Sequence, residues 1–381
     1  MSNSSMVAQP ALDREAELDR LEGHVHEALS QARSLGASGA EVHANSNQGL
    51  SVGVRLGEVE TLEYMQDRGI TVTVLIGRRK GQASSADLSA GSLADCVSHA
   101  VDIARYTQED PCNGLADPEL LATEQPELDL WHPATVDAEA ALERALACEA
   151  AGRADERITN SEGAAFNAGL GLSVYGNSNG FVGRSAGTRF SQSCILLAGR
   201  GEGMQRDYSY DARRCLDDLE EPRHTGEEAA RRTIKRLDAG QLPTGEMPVL
   251  FDPRVATGLI GHLVGAVSGS ALYRNASFLK DRAGDRLFPE WLVLEERPRL
   301  RRGASSASFD AEGVATRERR LVDSGELTGY VLSSYSGRRL GLETTANAGG
   351  VRNLLLHPGG EVGGDLLASL EEGFYVTEVM G

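Results

Sequence analysis

Alternating and helical patterns of apolar residues divide the N-terminal part of the chain into two helices that flank two hairpins. Within residues 12–35, Leu18, Leu21 and Val25 recur at spacings of three and four, which predicts an amphipathic helix. Period-two alternation predicts strands at 40–46, 50–65 and 70–87, with turns at Leu-Gly-Glu and at Gly77. A second helix is predicted over 93–106. These elements indicate helices layered on an antiparallel sheet.

The middle and last parts of the chain show shorter patterns. A segment rich in Pro and Asp at 107–135 predicts a linker or a long covering loop. Helices are predicted at 138–153 and 226–238, and strands within 173–203 and at 247–252. A further helix is predicted to begin at Asp252-Pro253, an N-cap residue followed by proline. After residue 275, short strands and glycine-rich turns predominate.

The predicted fold class is α+β, with N-terminal layers of antiparallel sheet and helices followed by a β-rich part. A chain of 381 residues has room for two or three cores. We predict an α+β domain at 1–125, a second α+β domain at 126–243, and a β-rich domain at 244–381 with one N-terminal helix.

Composition and charge exclude several classes of function. The net charge of −18 argues against direct nucleic-acid binding, which requires clustered Lys and Arg. The densest basic run, 297–302, is interpreted as a solvated loop or a minor anion site. No apolar run is long enough to span a membrane. Five cysteines without a CxxC pair, and an N-terminus without a secretory leader pattern, predict reduced thiols and a cytoplasmic location.

The stretch GLIGHLVGAVSG, residues 258–269, joins an apolar helical pattern to His262. A metallopeptidase helix places two histidines one turn apart and a glutamate beside the first, so that both imidazoles reach one Zn²⁺ and the carboxylate activates the bound water. Here His262 is followed by Leu263, and neither neighbouring turn offers a second ligand or a general base. This spacing excludes a local metal site on the helix, and it leaves open that ligands distant in sequence converge in the fold. Its glycines predict close packing of another backbone against a buried helix.

Two further short patterns are candidates for chemistry. Ser277-Phe-Leu-Lys280 matches S-x-x-K, in which a lysine activates a serine, but its companion motifs are absent. Arg338 and Arg339 could bind a carboxylate or a peptide backbone, and a structural salt bridge is at least as good an interpretation.

Several stretches together resemble the TldD/PmbA family, on its PmbA branch, which is also called TldE. They are GEVETLEYMQDRGITVTV (57–74), RKGQASSADLS (79–89), DIARYTQEDPCNGLADPELL (102–121), RITNSEGAAFN (157–167), VYGNSNGF (174–181), ATGLIGHLVGAVSGSALYRNASFL (256–279), FDAEGVATRERRLVDSGELTGYVLSSYSGRRLGLETTANAGG (309–350) and VTEVMG (376–381). The similarity extends along nearly the whole chain.

This resemblance implies a cytoplasmic TldD–TldE heterodimer that acts as a metalloprotease, trimming leader peptides and degrading unfolded small proteins. The zinc is expected on the TldD-like partner, which carries a His-Glu-x-x-x-His helix. Alignment on Gly269 places those positions at Ile260, Gly261 and Gly265; alignment on His262 places them at His262, Leu263 and Val267. Neither alignment yields a site, so the resemblance implies a degenerate metal helix around His262, with no metal ligand and no catalytic residue in this chain. Because the family continues beyond TEVMG, the C-terminal domain is expected to be incomplete.

Three functions follow as hypotheses. The leading one is the non-metal subunit of a peptidase complex, which completes the substrate chamber and holds an extended peptide by strand addition. The second is a non-enzymatic regulatory protein that binds DNA gyrase or another partner. The third is an independent metallopeptidase whose ligands are scattered in sequence.

Overall fold

The computed structural model describes residues 12–357, 366–370 and 372–379 and divides the chain into two compact units. The first unit comprises the described residues up to Ile76 together with 80–107 and 129–240. The second comprises 77–79, 108–128 and the described residues after 240. Each unit has its own hydrophobic core.

The first unit is built on one six-stranded sheet with the order β3-β2-β1-β4-β5-β6. Its strands are β1 (Gly39–Arg55), β2 (Glu58–Ile76), β3 (Arg79–Ser85), β4 (Ile158–Asn177), β5 (Val182–Ala198) and β6 (Gln205–Arg213). Its helices are α1 (Arg14–Ser34), α2 (Ala90–Tyr106), α3 (Ala138–Gly152) and α4 (Pro222–Lys235). The pairings of β1 with β2, β1 with β4, β4 with β5, and β5 with β6 are antiparallel. The helices and antiparallel sheet agree with the predicted fold class.

The central strands are longer than the sequence pattern predicted. The predicted strands at 40–46 and 50–65 are parts of one hairpin, whose turn lies at Leu56 and Gly57, both with positive φ. The predicted strand region at 173–203 is a hairpin that already begins at Ile158. β1 pairs with β4 over fourteen consecutive positions, so one sheet joins two segments that were predicted to lie in separate domains. The predicted domain boundaries themselves stay a prediction.

All four helices pack on the same face of this sheet. α1 and α2 cover the half that contains Val42, Val72 and Val174, while α3 and α4 cover the half that contains Val52 and Phe166. The phenyl ring of Phe166 is completely buried, and burial of such a side chain contributes about 2–3 kcal/mol. The residues that alternate with these therefore form the opposite face, which the helices leave free.

The second unit combines short strands with three helices. Its strands are β7 (Val249–Phe251), β8 (Leu294–Glu296), β9 (Arg319–Asp323), β10 (Glu326–Leu327), β11 (Leu354–Leu356) and β12 (Phe374–Val376), and its helices are α5 (Pro253–Ala266), α6 (Gly269–Tyr273) and α7 (Ser334–Leu340). β8–β11 form a four-stranded sheet in the order β10-β9-β8-β11, and β12 pairs in parallel with β7. The core of this unit is formed by apolar residues, including Leu272, Leu294 and Leu321.

The sequence predicted one N-terminal helix and, after residue 275, mainly short strands, whereas the described residues of this region form three α-helices. One of them, α7, lies where short strands were predicted. Instead, Ser333 and Ser336 form a capping box that begins α7, and Gly341 ends that helix in a left-handed conformation. Local capping hydrogen bonds therefore prevail over the apolar pattern.

Within the described part of the chain, no helix combines the length and the apolar character needed to cross a bilayer.

Candidate functional site

Helix α5 carries the residue that the sequence singled out as a degenerate metal position. The side chain of Asp252 accepts a hydrogen bond from the backbone N–H of Arg254, and Pro253 occupies the first turn, as predicted for this helix start. Ile260, Leu263 and Val264 pack against the core of the second unit. His262 therefore points away from that core and lies exposed.

The prediction of a buried helix is wrong for α5. None of its residues is fully buried, and Gly258, Gly261 and Gly265 lie exposed on the same side as His262. A Cβ added at any of these three glycines would meet open space. Close packing occurs only at Gly269, the first residue of α6, where an added Cβ would overlap the side chain of Ser336. The apolar pattern identified the packed face correctly but overestimated its width.

The histidines of the chain do not converge on a common point. His132 lies beside Asp129, His224 beside Glu220 and His357 beside Glu295, each with a single carboxylate. In the parts of the chain that the structure describes, no three His, Cys, Asp or Glu side chains are grouped so that they could hold a metal ion. The chemistry available at His262 is thus that of one exposed imidazole.

Arg338 acts as a structural anchor within the second unit. Its guanidinium donates hydrogen bonds to the backbone carbonyls of Gly114 and Leu115 and to the carboxylate of Asp117. The neighbouring Arg339 stacks over the ring of Tyr273, with 5.5 Å between the guanidinium carbon and the ring centroid. The salt-bridge interpretation therefore applies to Arg338, because its donors are used to hold the 110–117 loop.

The same loop is held a second time through Asp110. Its carboxylate accepts a hydrogen bond from the hydroxyl of Tyr335 at 2.8 Å and from the backbone N–H of Cys112. These two hydrogen bonds, the backbone one first, lower the pKa of Asp110. The hydrogen bond to Asp110 in turn raises the pKa of Tyr335. The α7 segment thus contacts the loop through two side chains one turn apart.

The serine–lysine pattern and the basic run also form structural contacts. The ammonium of Lys280 donates to the side chain of Asn275 at 2.7 Å, while the hydroxyl of Ser277 accepts from the backbone N–H of Leu279. Lys280 is therefore not placed to activate Ser277. In the basic run, the guanidinium of Arg297 lies 3.0 Å from the carboxylate of Glu295.

Asp310 is a carboxyl in the interior of the second unit whose pKa is strongly raised. Its side chain is 1% exposed and accepts the backbone N–H groups of Glu312, Val314 and Ala348. Burial raises its pKa to about 6, which outweighs the opposing effect of these hydrogen bonds. A carboxyl at this depth cannot reach a substrate, so its role is to organise two loops.

The free face of the six-stranded sheet lines a cleft of about 1090 Å³. Small and amide-bearing residues alternate across it in register: Asn47 stands opposite Gly171, and Ser51 stands opposite Asn167. The side chain of Asn47 donates to Asp67, and the hydroxyl of Ser51 donates to the amide oxygen of Asn167. This surface therefore offers side-chain hydrogen-bonding groups, some of which already bond to one another.

Sequence reasoning did not identify this cleft. The signal was present in the alternate positions of the strands, where Asn45, Asn47, Gly49, Ser51 and Gly53 stand out of phase with the apolar residues of β1. Only the apolar positions of this alternation entered the prediction. The polar surface doubles in width because β1 pairs with β4. The paired residues lie more than a hundred positions apart in the chain, so no local sequence pattern indicates the pairing.

Comparison with known proteins relates the whole chain to one group of peptidases. Models of the PmbA/TldA metallopeptidase domain 1, central domain and C-terminal domain match residues 40–104, 131–237 and 244–381 respectively. The metalloprotease PmbA of Escherichia coli O157:H7 is 45% identical over 361 residues, which cover 94% of this chain and 80% of that protein. A metalloprotease PmbA homolog of Haemophilus influenzae is 42% identical over 381 residues, covering 98% and 84%.

Solved structures show the same fold. A protein of Bacteroides thetaiotaomicron, described as a candidate modulator of DNA gyrase, superposes with a TM-score of 0.90 at 26% identity, covering 95% of this chain and 83% of that chain. TldE of Thermococcus kodakarensis superposes with a TM-score of 0.79 at 18% identity, covering 94% and 83%. At that lower identity the similarity concerns the fold alone.

Proposed function

The chain belongs to the PmbA/TldD family of metallopeptidases, and from this premise we propose that it is the non-metal subunit of a heteromeric peptidase. In this proposal a TldD-like partner binds the zinc and performs hydrolysis. The present chain completes the substrate chamber and holds the unfolded polypeptide. It is inactive by itself and binds no metal of its own.

The observation that carries the proposal is the composition of α5. His262 is its only side chain able to bind a transition metal, and the next residue is Leu263 rather than a glutamate. The exposed side of the helix otherwise presents glycines. A peptidase zinc needs three protein ligands and a base for the bound water, and one imidazole cannot replace them.

The free face of the sheet supports a role in holding peptides. Its serine and asparagine side chains provide hydrogen-bond donors and acceptors, and the half-buried Gly49 and Gly169 leave room between them. Such a surface suits unfolded small proteins and leader peptides, which share a backbone rather than a motif. The proposed location is the cytoplasm, since Cys96, Cys112, Cys148, Cys194 and Cys215 are all free thiols.

Co-purification with metal analysis tests this function. The chain and a TldD-like partner are expressed separately and together, the zinc content of each subunit is measured, and cleavage of a fluorogenic unfolded peptide is followed. We expect zinc on the partner alone and cleavage only when both subunits are present. Equal cleavage by the partner without this chain, or one tightly bound zinc per isolated copy of this chain, would show that the proposal is wrong.

A second candidate is a regulatory protein that binds DNA gyrase. The description of the Bacteroides thetaiotaomicron relative and the net charge of −18 favour it, because an acidic protein can occupy a DNA-binding surface. Immobilised chain would then retain gyrase in the absence of a TldD-like partner. Retention that needs the partner would instead support the peptidase complex.

A further inference from the structure

The outer edge of β2 between residues 58 and 67 has no strand beside it among the described residues. β2 has nineteen residues, whereas β3 has seven and follows β2 through the short turn at Gly77 and Arg78. β3 can therefore pair only with the last third of β2. Nine of the ten residues at 58–67 are exposed, and Thr61 is half-buried. Along this stretch, the backbone N–H and C=O groups that point away from β1 thus have no ladder partner within the described ranges.

The protection of this edge against another chain rests on acidic side chains, which oppose an acidic strand but not a basic one. Natural edge strands are shortened, or carry lysine or proline, because an open ladder recruits further strands. Residues 58–67 contain neither lysine nor proline. The register of β1 with β2 shifts once, where Gly53 faces Thr61 and Val54 faces Val59, so Glu60 is a bulged residue near the hairpin tip. From Thr61 onward the pairing is regular, and this part of the edge is suited to the addition of a strand.

Apolar side chains line the edge on the face that carries the helices. Val59, Leu62 and Tyr64 stand opposite Val54, Val52 and Leu50 of β1. The three β1 residues are buried in the core beneath α3, but their β2 partners remain 51%, 45% and 46% exposed. The helix layer thus ends one strand short of the sheet edge. A strand added there would bury these three side chains against its own apolar residues.

The charge of the edge selects the kind of strand that fits. Glu58, Glu60, Glu63 and Asp67 are acidic, and the one base that follows, Arg68, lies 3.3 Å from Glu17 of α1. Arg55 lies near Glu60 at 4.0 Å and offsets one of these charges. A second copy of the same edge would bring like charges together, which is unfavourable. A strand with alternating basic and apolar residues would complement both the carboxylates and the apolar side chains.

We propose that the β2 edge at 58–67 binds an extended, basic segment of an unfolded polypeptide as an added strand. Identifying that segment with the substrate of the peptidase rests on the proposed function; the binding itself does not. An unfolded chain fits this edge, because the edge offers backbone N–H and C=O groups for a ladder and a short row of apolar side chains.

The test uses the full-length chain and fluorescein-labelled peptides of twelve residues. One peptide alternates lysine with valine or leucine, the second replaces each lysine by glutamate, and the third carries N-methyl groups on alternate backbone nitrogens of the first. Fluorescence anisotropy measures the dissociation constants at low and moderate salt. We expect the basic peptide to bind at least tenfold more tightly than either of the others. Equal binding of the N-methylated peptide would overturn strand addition.

A matched pair of variants locates the site. The triple variant Glu58→Lys, Glu60→Lys and Glu63→Lys reverses the charge of the edge, and the control Glu156→Lys, Glu202→Lys and Asp217→Lys changes the net charge equally at exposed positions outside β2. Circular dichroism and thermal unfolding establish that both variants are folded. We expect the edge variant to weaken binding of the basic peptide at least tenfold and the control to weaken it less than threefold. Equal weakening in both variants would show that only the net charge attracts the peptide.

Other outcomes separate this inference from the proposed function. Peptide binding by the isolated chain together with no effect on the partner's cleavage would retain the inference and remove the proposed function. Loss of co-purification with the TldD-like partner in the edge variant, with unchanged peptide binding, would assign the edge to the folded partner and contradict the inference. Dimerisation of this chain that competes with peptide binding would assign the edge to a second copy and would also contradict the inference.

Discussion

The carboxylate of Glu149, on α3, accepts the backbone N–H of Gly57 at 2.8 Å, at the tip of the hairpin formed by β1 and β2. Its other oxygen accepts the N–H of the adjacent Leu56, also at 2.8 Å. Both turn residues have positive φ, and the Glu149 side chain is 1% exposed. One buried carboxylate therefore fixes the conformation of the turn from which the free edge of β2 begins.

Replacing this carboxylate is expected to loosen the hairpin tip. Glu149→Ala removes the acceptor of two backbone donors and should lower the free energy of unfolding by about 1–3 kcal/mol. Urea unfolding followed by circular dichroism measures the change. Glu143→Ala, at an exposed position of the same helix, is the control and should shift stability by less than about 0.5 kcal/mol. Equal effects of the two variants would show that Glu149 contributes only helix propensity.

Asp310 should make the stability of the protein depend on pH in a defined window. Its folded-state pKa of about 6 exceeds the ordinary value of 3.8, so the folded state keeps the proton over a range in which the unfolded chain has lost it. Its stabilising contribution is therefore complete below about pH 4 and is lost as pH rises through about 6, a change of about 3 kcal/mol.

The Asp310→Asn variant isolates this effect, because its carboxamide does not ionise. Unfolding free energies of the protein and the variant are compared by urea titration from about pH 4 to about pH 7. Relative to the variant, the protein with Asp310 should lose about 3 kcal/mol of unfolding free energy between the lower and the higher pH. A difference independent of pH would show that Asp310 ionises normally in the folded state.

Two glycines on neighbouring helices should respond in opposite directions to the same substitution. Gly269→Ala places a methyl group into the side chain of Ser336 and should destabilise the protein by about 1–3 kcal/mol. Gly265→Ala lies in open space on α5 and should stabilise it by about 0.5–1 kcal/mol, because alanine favours the helix. The midpoint temperatures of thermal unfolding of the two variants measure these effects. Destabilisation by Gly265→Ala would mean that the exposed face of α5 is covered in solution.

Arg338→Ala should release the loop that contains Gly114 and Leu115. The loss of its hydrogen bonds to these carbonyls should increase the rate of proteolytic cleavage within 108–128 several-fold without unfolding the remaining protein. Limited proteolysis with mass spectrometry locates the cuts. Arg254→Ala, in the first turn of α5, serves as a comparison in the same unit and should leave cleavage within 108–128 unchanged. Unchanged cleavage in Arg338→Ala would show that Asp110 and Tyr335 alone hold the loop.

His262→Ala tests the interpretation of α5 directly. The imidazole is exposed and is not grouped with other potential ligands in the described residues, so the variant should change neither zinc content nor peptide cleavage of the co-purified complex by more than twofold. Atomic absorption and the fluorogenic assay measure both. A tenfold loss of activity accompanied by loss of zinc would place His262 in a metal site shared with the partner.

The sequence predicted the local features of this molecule better than its long-range features. α1, α2, α3 and α4 lie close to their predicted positions, because amphipathic spacing is a local property of each segment. The start of α5 at Asp252 and Pro253 was also predicted, since an N-cap acts within one turn. The failure at α7 shows the limit of this reasoning, because a capping box was hidden inside an apolar run.

Sequence by itself determined that α5 is a helix and that neither turn beside His262 offers a second ligand, because ligands one turn apart must also lie three or four residues apart in the chain. Tertiary structure alone decided which side of that helix is exposed, and it decided that β1 pairs with β4 to create a broad polar face. It also left the outer edge of residues 58–67 of β2 without an adjacent strand in the described part of the chain. Burial and strand pairing depend on residues far apart in the chain, and no local pattern records which of them meet.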